Sequence, residues 1–298
     1  MRRFTLTIIT LLTITLQAIA TDLSFSYEKF TLMGNTLQYR KAVIEGAEAK
    51  PLLVLWLHGG SCKGSDNEKQ LTEVGIDSVC HYLVRNNHSA IVIAPQCPSD
   101  KSWGGVMTGV LRALVLSYTD DGSADADRMY IFGGSMGGTG TWTMLSTCPE
   151  LFAAAMPVAG NPSGCDAEKV AQTPLFTVMG TADAIMKIPT VEDFLSSMDA
   201  FGAEYRMETE EGWTHEDTCT RSYTTNRLDW VFSHSRSSTA VDNIEQETAV
   251  PTSVVWFDLS GRRLSSSPSS HGVFIRQTTY DNGGITREKT ITYASKNK

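Results

Sequence analysis

Five short apolar runs punctuate this chain: Leu52–Leu57, Ala90–Ala94, Met129–Phe132, Ala153–Val158 and Leu175–Val178. None alternates with polar residues, so each reads as a strand buried on both faces, the kind found in a mostly parallel sheet. Between and after them lie segments with helical spacing of apolar residues: Gln70–Val84, Val106–Tyr118, Gly138–Ser146, Val191–Phe201 and Arg221–Phe232. Strand and helix alternate from Leu52 to Phe232. This pattern predicts an α/β fold with a mostly parallel central sheet and helices on both faces. Upstream, Ser24–Leu32 and Thr36–Ile44 alternate about Gly34-Asn35, a hairpin signal.

The two ends differ from this middle. Arg2 and Arg3 precede an apolar run from Phe4 to Leu16, and Ala18-Ile19-Ala20 follows. A basic start, a short apolar core and a small-x-small ending read as a signal peptide, residues 1–20, cleaved after Ala20. The run is short for a membrane span, and an exported chain is expected, secreted, periplasmic or at the cell surface. Residues 21–236 form the expected α/β domain. Residues 237–253 are polar and read as a linker. Residues 254–298 form a β-rich tail, with Val254–Asp258 and Gly272–Arg276 as short strands. A tail that small cannot close a large core of its own.

Composition excludes several classes. The 298 residues are 41% hydrophobic and 19% charged, which excludes wholesale disorder. The net charge of −8 argues against nucleic acid and other polyanions as partners, and losing residues 1–20 would remove two arginines and no acid. Six cysteines, none in a C-x-x-C pair, give no zinc or thioredoxin motif. No metal or cofactor is implied. Cys165 and Cys219 are expected at the same end of the sheet, where an exported chain would pair them as a disulfide. Cys80 and Cys148 fall in helices and read as buried thiols.

Gly133-Gly134-Ser135-Met136-Gly137 is a G-x-S-x-G pattern placed between an apolar strand and a helical segment. Such a strand-turn-helix strains the serine backbone and exposes its hydroxyl, while the glycines allow strand and helix to pass closely. A serine hydroxyl needs a base. His215 follows the strand-like Glu204–Thr209 and is the candidate; His81, His88, His234 and His271 have blander surroundings. Asp183, directly after Leu175–Val178, is the expected acid, with Asp166 as runner-up. Asp120, Asp121 and Asp125 precede the serine and read as a solvated turn. The order Ser135, Asp183, His215 is the one an α/β sheet of this kind uses. An oxyanion needs backbone donors, expected at Met136 and at Gly60 in Leu57-His58-Gly59-Gly60-Ser61, with Ser61 a weaker choice. His58 is expected to brace that loop.

These residues together resemble the α/β-hydrolase superfamily. More narrowly they are similar to secreted bacterial feruloyl and acetylxylan esterases, a group related to polyhydroxybutyrate depolymerases and prolyl oligopeptidases. Leu57-His58-Gly59-Gly60, Ala94-Pro95-Gln96-Cys97-Pro98 with Trp103, and Gly134-Ser135-Met136-Gly137-Gly138 carry the resemblance. Phe152–Pro157 and Asp229-Trp230-Val231-Phe232 continue it. It implies a serine esterase acting on acylated plant polysaccharide, with Trp103 and Trp213 stacking on a sugar or aromatic acyl group or else packing in the domain. Trp142 reads as core. Such proteins often have a tryptophan shortly after the histidine, where this chain has Thr218 and Cys219. A peptidase with the same three residues, or a carbohydrate-binding protein on an inactive scaffold, are the rival readings. The tail, Val254–Leu264 with Gly272–Ile275, is similar to C-terminal sorting domains of secreted Bacteroidetes proteins, which implies secretion machinery as a partner.

Overall fold

Alternate residues of each apolar run leave the backbone on opposite sides, and here both sides are covered. In β3 (Leu52–Leu57), Leu53, Leu55 and Leu57 enter one core while Leu52, Val54 and Trp56 enter another. In β4 (Ala90–Pro95), Ile91 and Ile93 part in the same way from Ala90, Val92 and Ala94. β5 (Met129–Gly134), β6 (Ala154–Val158) and β7 (Leu175–Gly180) are likewise buried at every residue. This is why the strands read as unbroken apolar runs. The computed structural model describes residues 23–236, 251–258, 262–268, 272–280 and 285–292. The expected signal peptide, most of the expected linker and His271 lie outside the described residues.

The helices supply the two cores from either face. α2 (Val106–Asp120), α3 (Met136–Thr147) and α5 (Ile188–Met198) bury Leu111, Leu114, Trp142 and Leu195 in the first core. α1 (Val74–Arg85) and α7 (Thr225–Phe232) bury Ile76, Leu83, Leu228 and Val231 in the second. β1 (Ser26–Leu32) and β2 (Asn35–Ile44) form the antiparallel hairpin at one edge. Its two-residue turn is Met33-Gly34, one position earlier than Gly34-Asn35. Both turn residues have positive φ, 49° and 80°, and the glycine takes the second place.

The sheet order is β1-β2-β4-β3-β5-β6-β7-β8, with β8 (Tyr205–Glu210) at the far edge. Strands β4 to β8 and β3 run parallel. The chain goes from β3 outward to β4, then returns to the other side of β3 as β5. That reversal leaves a crevice beyond the carboxyl ends of β3 and β5. The register brings Leu57 beside Gly133 and Gly180 beside Glu210. The loops leaving all four strands therefore emerge at one end of the sheet.

Two expected helices are interrupted. The segment Gln70–Val84 divides into a 3-10 turn, Lys69–Thr72, and α1, with Glu73 extended between them. The segment Arg221–Phe232 divides into α6 (His215–Arg221) and α7, because Thr224 is extended and the Arg227 guanidinium donates to the Ser222 carbonyl at 3.1 Å. A four-residue helix, α4 (Ala167–Val170), was not expected.

The described residues divide into two units between 239 and 240. The second is a three-stranded antiparallel sheet of order β11-β10-β9. β9 (Pro251–Phe257) begins inside the stretch read as linker, β10 (Gly272–Tyr280) is longer than expected, and β11 (Ile285–Thr292) was missed. Only two of the eight residues of β11 are isoleucine and the rest are polar, so it lacks the apolar signal used for the others. Both large cores belong to the first unit. A chain ended at Ser238 is therefore expected to fold, with a melting temperature within about 4 °C of the full chain, the shift of about 1 kcal/mol. A larger fall in a thermal melt would place the tail within the cooperative unit.

Candidate active site

Ser135 sits on the turn between β5 and α3 with φ 58° and ψ −119°, a strained backbone for a residue with a side chain. The strain is held by its amide donating to Val158 O at 3.0 Å and its carbonyl accepting from Thr139 N at 2.9 Å. The flanking glycines are a matter of space. A Cβ on Gly137 would lie 1.8 Å from the Leu57 carbonyl oxygen, and one on Gly133 would lie 2.5 Å from the Gly137 backbone.

The Ser135 hydroxyl lies 2.7 Å from His215 Nε2. His215 Nδ1 lies 2.7 Å from Asp183 Oδ2. The other Asp183 oxygen accepts from the Ile185 and Met186 amides at 2.7 and 2.9 Å. Burial works against the Asp183 anion, but the His215 hydrogen bond and then the two amides outweigh it and hold the carboxyl below its ordinary range. An ionised Asp183 makes Nδ1 the protonated nitrogen, so Nε2 is free to accept from Ser135. His215 opens α6. Its neighbour Thr214 caps that helix, with Asp217 Oδ2 accepting from the Thr214 amide at 3.1 Å. The loops after β7 and β8 are tied together where Ala182 N donates to Trp213 O at 3.0 Å and Gly212 N to Thr181 Oγ1 at 2.8 Å.

Asp166, the alternative acid, is occupied elsewhere: it caps α4, accepting from the Glu168 and Lys169 amides. Asp121 and Asp125 close surface turns, accepting from the Ser123 and Asp127 amides. His81 is exposed on α1, His88 pairs with Glu48 and His234 with Glu204.

The loop after β3 is braced as expected. His58 is fully buried, with Nδ1 donating to Gly59 O at 2.6 Å and Nε2 accepting from Cys97 N at 2.9 Å. Burial lowers its pKa to about 4, so the ring is neutral. Trp103 belongs to the same brace: it is 2% exposed, its indole N–H donates to His58 O at 2.8 Å, and its ring stands edge-on to His58. It does not line the cavity and cannot stack on a ligand. Trp213 does not line the cavity either. Its ring packs under the Arg221 and Arg227 guanidinium groups and against the second core. Trp142 is fully buried.

A cavity of about 540 Å³ opens over Ser135 and His215, walled by the 59–62 loop, Glu73-Val74, Ile185 and the exposed side of α6. Gly60 and Ser61 both line it. Gly60 opens a 3-10 turn and Met136 opens α3, so neither amide has a partner within its own helix. The Gly59 amide is already taken, donating to Glu73 Oε1 at 2.7 Å. Glu73 was missed in the sequence, where it fell inside the expected helical segment Gln70–Val84. Its second oxygen accepts from Trp56 Nε1 at 3.0 Å. Burial raises its carboxyl pKa, opposed by the Gly59 amide and the Trp56 indole.

Cys165 and Cys219 are not bonded; all six cysteines are free. Cys165 packs against the first core and Cys219 against the second, so the sheet lies between them. Cys219 lines the cavity with its sulfur 4.0 Å from His215 Nε2, and burial pushes its thiol up to about 12. Cys80 and Cys148 are buried, as expected. Among the described residues no group of three or more His, Cys, Asp or Glu side chains converges on a metal position.

A serine on a strand-to-helix turn, an acid after β7 and a histidine after β8 are now assembled on a mostly parallel sheet. A solved thermostable esterase shares this architecture, with a TM-score of 0.64 and 27% identity over 71% of this chain and 63% of that one. The fold is that of the α/β-hydrolases. A feruloyl esterase module from Clostridium thermocellum, solved with sinapinate, has the same hydrolase fold at a TM-score of 0.53 and 15% identity, over 69% of this chain and 89% of that one. Residues 101–163, which include the serine turn, match the Prolyl oligopeptidase family. Two curated relatives are a poly(3-hydroxyalkanoate) depolymerase C from Paucimonas lemoignei and a probable acetylxylan esterase A from Aspergillus flavus. The first is 30% identical over 157 residues, 48% of this chain and 35% of the relative. The second is 32% identical over 90 residues, 26% of this chain and 29% of the relative. The matched regions span about a third of the length of each relative.

The buried neutral His58 has a consequence for stability. Its folded pKa lies below the ordinary 6.5, so its contribution is complete above pH 6.5 and is lost as pH falls from 6.5 towards 4. The full loss is about 3 kcal/mol. Urea unfolding at pH 7 and pH 4 is expected to show the stability difference between the natural chain and His58→Gln shrinking by up to that amount. A constant difference would mean that His58 is not held neutral.

Proposed function

We propose that this chain is a serine carboxylic-ester hydrolase. One observation carries the reading: the unbroken hydrogen-bond chain from the Ser135 hydroxyl through His215 to Asp183, opening on a cavity. Ser135 Oγ attacks the ester carbonyl while His215 Nε2 takes its proton. Asp183 orients the ring and stabilises the imidazolium. The Met136 and Gly60 amides receive the oxyanion of the tetrahedral intermediate. Collapse expels the alcohol, which takes the proton back from His215. Water then repeats the sequence on the acyl-enzyme and releases the acid.

As substrate we propose an acetyl or feruloyl ester of plant cell-wall polysaccharide. Its support is the similarity to an acetylxylan esterase and the fold shared with a feruloyl esterase module. We further propose that residues 1–20 direct export and that the tail engages secretion machinery, on the sequence patterns alone. A peptidase is the second reading, favoured by the Prolyl oligopeptidase match across the serine turn. The Ser135–His215–Asp183 chain argues against an inactive carbohydrate-binding scaffold.

The test is a panel of p-nitrophenyl acetate, methyl ferulate, acetylated xylan and a chromogenic peptide. Ester turnover with little peptide cleavage is expected, and the reverse would favour the peptidase. Ser135→Ala is expected to lower ester kcat by a factor on the order of 10⁴ or more with the fold intact; retention of a tenth of the rate would remove Ser135 as nucleophile. Asp183→Asn is expected to lower kcat by about 10³-fold or more. Asp166→Asn should leave it within about twofold, since asparagine also caps a helix. A reversal of the two would move the acid to Asp166.

A further inference from the structure

The ionisable side chains lining the cavity, apart from His215 and the thiols of Cys62 and Cys219, are both carboxylates, Glu73 and Glu216. No Lys or Arg is among the described residues that line it. Behind His215 stands a third carboxylate, Asp183. The nearest arginine in sequence, Arg221, is turned to Asp217 at 3.5 Å and to the Trp213 ring. A ligand in this cavity thus meets negative charge without a balancing cation.

Glu73 is the fixed part of that charge. Its two oxygens accept N–H groups from two different places, the Gly59 amide and the Trp56 indole. Neither oxygen needs a proton to make its bond, so the two donors favour the anion against the burial that raises its pKa. The carboxylate cannot swing away without abandoning both donors. It also stands beside the nucleophile: a Cβ on Gly59 would lie 3.1 Å from Glu73 Oε1 and 3.6 Å from Ser135 Cβ. A charge held in a partly buried wall is screened less than one in open solvent.

We propose that Glu73 is a specificity-determining residue that restricts the cavity to esters whose acyl and alcohol groups are uncharged or cationic. Esters that carry a free carboxylate near the scissile bond are rejected, because they would place like charges together in a confined site. Apolar contacts remain for an uncharged group: Val74 and Ile185, both exposed, line the same cavity. The inference rests on the ester-hydrolase reading above and narrows its substrate class.

The test uses three p-nitrophenyl esters of matched length at pH 8: methyl p-nitrophenyl glutarate, its free half-acid, and p-nitrophenyl 4-(trimethylammonio)butanoate. In the natural chain kcat/KM for the methyl ester is expected to exceed that for the half-acid by at least about thirtyfold, with the cationic ester at least as good as the methyl ester. Glu73→Gln removes the charge and keeps one acceptor. It is expected to narrow the gap between methyl ester and half-acid by at least about fivefold, whatever it does to the absolute rates. A gap under twofold in the natural chain, or an unchanged gap in Glu73→Gln, overturns the proposal. Should Glu73→Gln fail to fold by circular dichroism, the cationic ester decides: turnover as poor as that of the half-acid overturns the charge reading, and turnover matching the methyl ester sustains it. Failure of the natural chain to release nitrophenol from the methyl ester would instead overturn the ester-hydrolase reading, and this inference with it.

Discussion

The Leu57 carbonyl oxygen occupies the space that a side chain on Gly137 would need. This contact between the end of β3 and the first turn of α3 sets the distance between two loops that must cooperate. One carries the serine and the other carries His58, Gly59 and Gly60. Because β3 and β5 are paired in parallel with Leu57 beside Gly133, both loops leave the sheet at the same height. The strained backbone of Ser135 is then a consequence of geometry: the chain must turn from strand to helix within one residue. The strain persists because backbone hydrogen bonds to Val158 and Thr139 hold the turn on both sides.

Around that contact the polar groups divide into braces and participants. His58, Trp103 and Cys97 form a brace in which every ring N–H or ring nitrogen meets a backbone partner. Glu73 forms another, joining β3 to the loop that follows it. Arg227 forms a third. It is buried and spans Glu208 and Glu210 on β8 and the Ser222 carbonyl after α6. His215 opens a helix whose start is capped by Thr214. The participants, Ser135, His215 and Asp183, need such surroundings because a misplacement of about 1 Å can lower rate by about 100-fold.

What was legible in the sequence follows from what each signal measures. An unbroken apolar run reports burial on both faces, so β3 through β7 stood out. Chain order and the position of a residue after a strand report which loops meet, so Ser135, Asp183 and His215 were all named in advance, and these three are hydrogen-bonded to one another. Residue type alone left Trp103 and Trp213 open between stacking on a ligand and packing in the domain. An indole suits a sugar platform and a core equally well, and only the third dimension shows His58 above one and two guanidinium groups over the other. The Cys165–Cys219 pairing failed for a related reason. Both lie near the carboxyl end of the sheet, but linear order does not reveal which face a side chain takes. Glu73 was invisible because its partners, Trp56 and Gly59, belong to a separate stretch of chain. The break between α6 and α7 was hidden because it depends on Arg227 reaching back to Ser222.

Among the described residues the eight-stranded sheet ends in two edge strands, β1 and β8, and edge strands invite another copy to add its own strand. Here both are guarded. β8 carries Arg206, Glu208 and Glu210, with the two glutamates pinned by Arg227. β1 carries Glu28 and Lys29, and Glu28 is paired with Lys41 on β2. An incoming strand would have to lie against charges that are already engaged, giving up their pairs or their hydration. The edges of this sheet thus carry engaged charges of the kind that discourage its growth by accretion.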